Sequence, residues 1–250
     1  TKADERSTQT TPLPWQPVRQ DDLLWQKRVW REINVLEKQN ASLMYAGDER
    51  TGGGMLIEVL IDAINRGKIT AYSTADDRFT TVMTKKELHD LMYPTADTVV
   101  VIDVDGTEVI QVVEHDFKPE TITRYRIKED WLFDRNTGQV VVRIAGIAPV
   151  RDVYDANNQY RGSQAMFWLY YPETRQILTN GEPISSHQDM VRASWDEFFE
   201  GRRFSSRIIK ESQMNGLSFS EMEMSPMEAL YAGKKAEQTI FHKEHDVWEQ

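Results

Sequence analysis

The chain has 250 residues, a formal charge of −10 and no cysteine, which excludes disulfides, thiolate metal sites and a cysteine nucleophile. The acidic balance disfavours a broad nucleic-acid interface or adhesion to an anionic membrane surface, because both need a positive field. No run approaches the ~18 apolar residues of a membrane span, and a start at Thr1 is compatible with an export signal already removed.

Residues 1–20 read as a flexible Pro/Thr-rich arm, since "TPLPWQP" cannot pair regularly. Trp15 is the one residue in it able to anchor to something. "DDLLWQKRVWREINVLEKQN" is predicted to be a helix: Asp21 and Asp22 suit its positive end, and Trp25, Val29, Ile33 and Leu36 fall on one face. "DERTGGG" follows as a loop and "MLIEVLIDAINRG" as a helix stopped by Gly67. "KITAYS" is a short strand. Thr84 and Glu87 form a capping box ahead of "LHDLM", with Pro94 just past that helix.

The middle is strand-rich, and it contains "VVVIDVDGTEVIQVV". An apolar run followed by D-x-D-G-T is the signature of haloacid-dehalogenase-type phosphatases, in which Asp103 would be the nucleophile and Asp105 the acid/base. "QILTNG" resembles the Thr motif that holds phosphate there. Against this, "EVIQVV" returns at once as a β-branched strand where a phosphatase needs a loop and a helix. No late acidic Mg²⁺ motif follows. Asp-Gly between two apolar runs is instead a strong hairpin signal. With Asp105 and Gly106 as the turn, Val101 faces Ile110 and Val99 faces Val112, at the expense of Asp103 opposite Glu108.

"TITRYRI", "DWLF", "VVVRIAGI" and "AMFWLYY" read as further strands with turns between them. Asn136, Thr137 and Gly138 form a hairpin loop, and Pro172 closes the last run. Ser194 and Glu197 make a second capping box before "FFEGRRFSSRIIKES", which reads as helix. A third, at Ser225 and Glu228 with Pro226 at the first helical position, opens a helix to about His245 that Gly233 weakens by ~1 kcal/mol relative to Ala. The pattern predicts an α+β fold: a meandering, mostly antiparallel sheet flanked by N-terminal and C-terminal helices. It divides into the arm, a core domain over 21–212 and a Met-rich helical extension over 213–250.

No catalytic, metal or cofactor set emerges. "GDERTGGG" lacks the Lys-Ser/Thr of a phosphate-binding loop. His242 and His245 lack a third ligand, and no Gly-x-Ser-x-Gly elbow exists. Aromatic residues are denser than catalysis requires. In "MFWLYY", Trp168 and Tyr170 share one strand face and Phe167, Leu169 and Tyr171 the other, so the strand is either central or covered by a partner. Met214, Met222, Met224 and Met227 cluster after the compact middle and suit an adaptable interface, as they would a core. Trp15, Trp168, Tyr170, Met222, Met224 and Met227 are therefore the candidate interface residues.

"EDWLFDRNTGQVVVRIAGIAPVRDV" resembles the most distinctive block of the GldN/PorN family of Bacteroidota. The likeness continues through "FWLYYPETRQIL" and "SWDEFFEGRRFSSRIIKES", and upstream through "DDLLWQKRVWREI" and "GGGMLIEVLIDAINRGKITAYS". The resemblance implies a periplasmic, non-enzymatic structural subunit of the type IX secretion system, linked in many members to gliding motility. It implies assembly into a ring with an outer-membrane lipoprotein (GldK/PorK) and contact with the inner-membrane motor protein (GldM/PorM). It carries over no catalytic, cofactor or individual binding residue. Two other readings stay beside it: a Mg²⁺-dependent phosphatase using Asp103 and Asp105, and a periplasmic ligand-binding module whose pocket the aromatics would line.

Overall fold

The computed structural model describes residues 11–44, 54–93, 96–102, 108–114, 117–155, 157, 159–180, 194–212, 217–222 and 225–248. In chain order the elements are β1 (Leu23–Asn34), α1 (Leu56–Asn65), β2 (Ala71–Tyr72), α2 (Lys85–Met92), β3 (Ala96–Ile102), β4 (Glu108–Glu114), β5 (Ile122–Asp134), β6 (Gln139–Tyr154), β7 (Tyr160–Ala165), β8 (Trp168–Tyr170), α3 (Tyr171–Leu178), α4 (Trp195–Glu200), β9 (Arg207–Glu211) and α5 (Pro226–Trp248). Seven strands form one antiparallel sheet in the order β2-β8-β6-β5-β1-β9, with β7 also on β6, and β3 and β4 pair separately. The fold is α+β.

The first element is a strand, not the helix its spacing predicts. Trp25, Val29 and Ile33 are four apart, and a step of four keeps one face in a strand as well as in a helix. Between them Lys27 and Arg31 resemble a helix's wet side. They are in fact buried and ion-paired: Lys27 Nζ lies 2.8 Å from Glu211, and Arg31 Nε lies 3.3 Å from Glu129. Leu36, the residue that completed the helical stripe, lies beyond the strand and is exposed. The sheet thus opens with β1, and its flanking helices come later.

Strands β5 and β6 make the long hairpin at the centre. The break expected between "TITRYRI" and "DWLF" is only a bulge: Lys128 faces Gly146 and Glu129 faces Ile144, with Ala145 extra on β6. The hairpin loop follows expectation. Gly138 has φ 64°, and the Asp134 carboxylate accepts from the Asn136 amide at 2.9 Å and the Thr137 hydroxyl at 3.1 Å. β3 and β4 do form a hairpin, but Val101 faces Val109 and Ile102 faces Glu108. That register is one residue off the expected one, with Ile102 in the place opposite Glu108. Asp103, Asp105 and Gly106 lie outside the described residues, as do Pro94 and most of "DERTGGG".

Helix α1 buries Leu56, Ile57, Leu60 and Ala63 against the sheet, on the order of 2 kcal/mol for each larger side chain. Gly67, at φ 68°, ends it: the Gly67 amide donates to the Ile64 carbonyl and the Lys68 amide to that of Ala63. The Thr84 and Ser194 capping boxes are both present. Pro172 opens α3 rather than merely closing a strand, and the helix after Ser194 stops at Glu200. Gly201 and Arg202, the latter at φ 51°, turn the chain so that the β-branched pair Ile208–Ile209 becomes β9 on the edge of β1.

The main core lies on one sheet face, where Ile33, Tyr125, Ile127 and Ile147 meet α1, α3 and the aromatic cluster Trp195, Phe198, Phe199 and Phe204. On the same face, α5 lies over β9, packing Ala236 and Ile240 on Val29 and Ile208. The opposite face carries a small cluster of Trp30, Ala148, Val150 and Trp168 under Phe79.

Gly233 belongs to the α5 contact. A Cβ there would stand 2.4 Å from the Ile208 carbonyl oxygen, so the helix can lie on the strand only without one. Helix propensity alone makes Gly233→Ala stabilising by ~1 kcal/mol, but the clash opposes it at about 1–3 kcal/mol. The expected outcome in urea unfolding is a less stable variant, whereas Gly67→Ala loses stability through backbone strain with α5 still docked. Glu129, 0 % exposed, sits between Arg31 and Arg202. Removing it leaves Arg202 without its carboxylate and Arg31 with Glu237 alone, and Glu129→Ala is expected to destabilise by about 3 kcal/mol, far more than Glu173→Ala on the surface, in the same assay.

Candidate interaction surfaces

Trp15 is held by the protein's own core. Two guanidinium groups lie over its ring, with Arg143 Cζ 4.9 Å and Arg175 Cζ 5.0 Å from the ring centre. It stacks on Tyr171 at 6.4 Å, and its Nε1 donates to Glu200 at 2.7 Å. The same arginines fix the flanking backbone: Arg175 donates to the Leu13 carbonyl at 2.8 Å and Arg143 to that of Gln16 at 2.6 Å. Arg175 is itself fixed by two 2.8 Å bonds to the buried Asp196. Strand β6 and helices α3 and α4 therefore build a clamp that no local sequence pattern announces.

The other candidates scatter. Trp168 is enclosed: its ring packs edge-on to Phe79 at 6.2 Å and lies close beside Gly146, where a Cβ would meet it at 3.2 Å. It therefore offers no surface outward. Tyr170, on the same strand, is exposed and lies 5.4 Å from Phe79. Met222 is half-buried and Met227 exposed on α5, while Met214 and Met224 lie outside the described residues.

Of the outer side of α5 the sequence reading picked out Met227 and missed Leu230, Tyr231 and Phe241. Met227, Leu230, Tyr231 and Phe241 are exposed there, while Ala229, Ala232, Gly233 and Ala236 take the inner side. The signal was present: 227, 230 and 231 are one helical turn apart. The alternation of small and large residues gives the helix two apolar sides, one for the sheet and one facing solvent.

Charges organise the opposite sheet face. Glu32, buried, faces Arg207 at 2.6 Å, Arg126 at 3.5 Å and Arg124 at 3.7 Å, and Arg124 pairs with Asp152 at 2.7 Å. Lys128 reaches the Asp77 carbonyl at 2.6 Å and lies over the Trp30 and Phe79 rings. Burial lowers its pKa, with the nearby Asp77 carboxylate opposing that shift.

The phosphatase reading gains nothing at either of its motifs. The strand ending at Ile102 is followed by an antiparallel partner, and Gln176, Ile177 and Leu178 lie within α3 rather than at a strand end. Among the described residues, no three His, Asp or Glu side chains converge as metal ligands, and His242 is exposed on α5.

Trp15→Ala removes the ring the two arginines hold. Its expected effect is faster proteolytic cleavage within residues 11–19, with a stability loss of about 1–2 kcal/mol and far-UV circular dichroism unchanged.

No curated protein matches the chain. The family model described as "Gliding motility associated protein GldN" matches residues 18–249, from the arm just after Trp15 through β9 and the whole of α5. Among the described residues no helix is long and apolar enough to cross a membrane. The chain belongs to the GldN family, and is thereby associated with gliding motility and type IX secretion.

Proposed function

We propose that this protein is a non-enzymatic structural subunit of the type IX secretion system, working in the periplasm. In this reading it assembles into a ring with a GldK/PorK-type outer-membrane lipoprotein and contacts the GldM/PorM-type motor protein of the inner membrane. The match of the family model over residues 18–249 carries the reading. The outer side of α5 supports it: Met227, Tyr231 and Phe241 are 60 %, 64 % and 63 % exposed. Three large apolar side chains on one ordered helix suit burial against another protein. A ring of like subunits needs two different patches that meet head to tail, and β9, on which α5 packs, and β2 lie at opposite ends of the sheet order.

The test is co-migration with the lipoprotein partner in size-exclusion chromatography. The wild-type chain is expected to co-elute in a high-mass species. Met227→Glu combined with Tyr231→Glu is expected to weaken that association about tenfold or more while leaving thermal unfolding unchanged, because neither side chain packs in the core. A wild-type chain that elutes alone beside the lipoprotein overturns the reading.

A further inference from the structure

The clamp around Trp15 holds a piece of this chain the way a receptor holds a separate peptide. Residues 12–19 belong to no helix or strand, and among the described residues no backbone–backbone hydrogen bond ties 11–18 to the core. Side chains do the holding. Arg175 donates to the Leu13 carbonyl at 2.8 Å, Arg143 donates to that of Gln16 at 2.6 Å, and Glu200 accepts from the Trp15 indole at 2.7 Å.

The segment's own sequence explains this form of binding. Pro12, Pro14 and Pro17 lack N–H groups and fix φ, so the segment is poorly suited to a sheet edge and biased towards an extended form before it docks. A polyproline helix turns once every three residues, so carbonyls three apart lie on one face. Leu13 and Gln16 are three apart, and theirs are the two carbonyls that the arginines meet. Trp15, between them, is the aromatic anchor. Pro14 and Pro17 have the P-x-x-P spacing of segments that dock in aromatic grooves.

The two halves of the clamp differ in firmness. The receptor half is built into the core: Tyr171 and Arg175 are buried on α3, and two 2.8 Å bonds to Asp196 fix the Arg175 guanidinium. The arm half lies on the surface, with Leu13 62 % exposed and Pro14, Gln16 and Pro17 exposed as well. A cavity of about 290 Å³ remains between the two, lined by Pro14, Trp15, Val141, Thr179 and Glu197. Between Gln16 and the first strand residue, Leu23, the chain makes a single 3-10 turn at Gln20–Asp22. Lifting the arm out therefore separates no strand from its partner.

We infer that this clamp is an exchange site, which takes the Pro-Trp segment of a second copy of this chain in place of its own, so that two copies join arm to clamp. The seated segment identifies the occupant, because every further copy carries the same one. Short connections between a docked element and the body are where such swapping arises. The contact is heterologous, with an arm on one side and a clamp on the other. In dilute solution the chain's own arm prevails, since a short tether keeps it at an effective concentration on the order of mM. The inference goes beyond the secretion role and does not depend on it, because the purified chain is enough to test it.

Two full-length variants separate the halves. Trp15→Ala vacates the clamp and leaves it intact. Arg143→Glu, at a half-buried position, keeps the arm and sets a carboxylate against the Gln16 carbonyl. The first readout is fluorescence anisotropy of a fluorescein-labelled peptide of residues 11–19. It is expected to bind Trp15→Ala about tenfold or more tightly than wild type, whose own arm competes. The same peptide with Ala in place of Trp15 is expected not to bind. Adding Arg143→Glu to Trp15→Ala is expected to abolish peptide binding with far-UV circular dichroism unchanged. The second readout is sedimentation velocity: Trp15→Ala and Arg143→Glu mixed are expected to form a complex of one copy of each that neither forms alone. No peptide binding to Trp15→Ala, equal binding of the Ala peptide, or indifference to Arg143→Glu overturns the exchange site. Peptide binding without a complex in the mixture overturns the second copy as occupant and leaves a clamp for a Pro-Trp segment of a different protein.

Discussion

A carboxylate removed from water stays charged only with cations against it, and Glu129 has two. Arg31 comes from the neighbouring strand and Arg202 from the turn after α4, at 3.3 and 2.6 Å, and the Trp131 indole adds a hydrogen bond at 3.1 Å. The Arg31 guanidinium also reaches Glu237 of α5 at 3.1 Å. One buried charge thereby ties β1, β5, the approach to β9 and the terminal helix. It fixes the left-handed turn at Arg202, which delivers β9 to its edge, and β9 in turn supplies the backbone on which Gly233 rests. Such a cluster is a modest source of net stability, since desolvation opposes attraction. Its effect is on arrangement: few other placements of these four segments leave the carboxylate neutralised.

The same chemistry explains what was legible in the sequence. Local signals read true: the capping boxes at Thr84 and Ser194, Gly67 as a helix stop and Gly138 in its hairpin each depend on neighbours a few residues away. The "DG" turn announced the β3–β4 hairpin for the same reason, though not its register. Strand β1 was misread because a step of four suits helix and strand alike, and because its charged residues signal solvent when their partners lie far along the chain, on β5, β9 and α5. Strand β9 was hidden inside an apparent helix for a similar reason: Gly201 and Arg202 break the pattern only through a backbone angle.

The candidate surfaces divide along the same line. Trp15 stood out from composition, but what holds it, Arg143 and Arg175, could not be foreseen, because those residues meet only after β6 and α3 are placed. Trp168 and Tyr170 are neighbours but one on a three-residue strand, and one is enclosed while the other is exposed. Local alternation says that they share a face; it does not say how far the covering layer extends. The outer side of α5 was legible as spacing and passed over because the methionines drew attention first. The charge cluster around Glu32 was not legible at all, since Arg126, Arg207 and Glu32 meet only across three strands.

Strand order has a temporal consequence. The outer edge of β1, at Val29 to Glu32, pairs with residues 207–211, so a chain emerging amino-terminus first displays that edge unpaired until nearly all of it has appeared. Its inner edge closes earlier, against β5. Long-separation pairing of this kind slows folding, and an open strand edge bearing Val29 and Trp30 invites mispairing meanwhile. A holdase that shields the amino-terminal third until the last strand has emerged is therefore expected to raise the yield of folded chain.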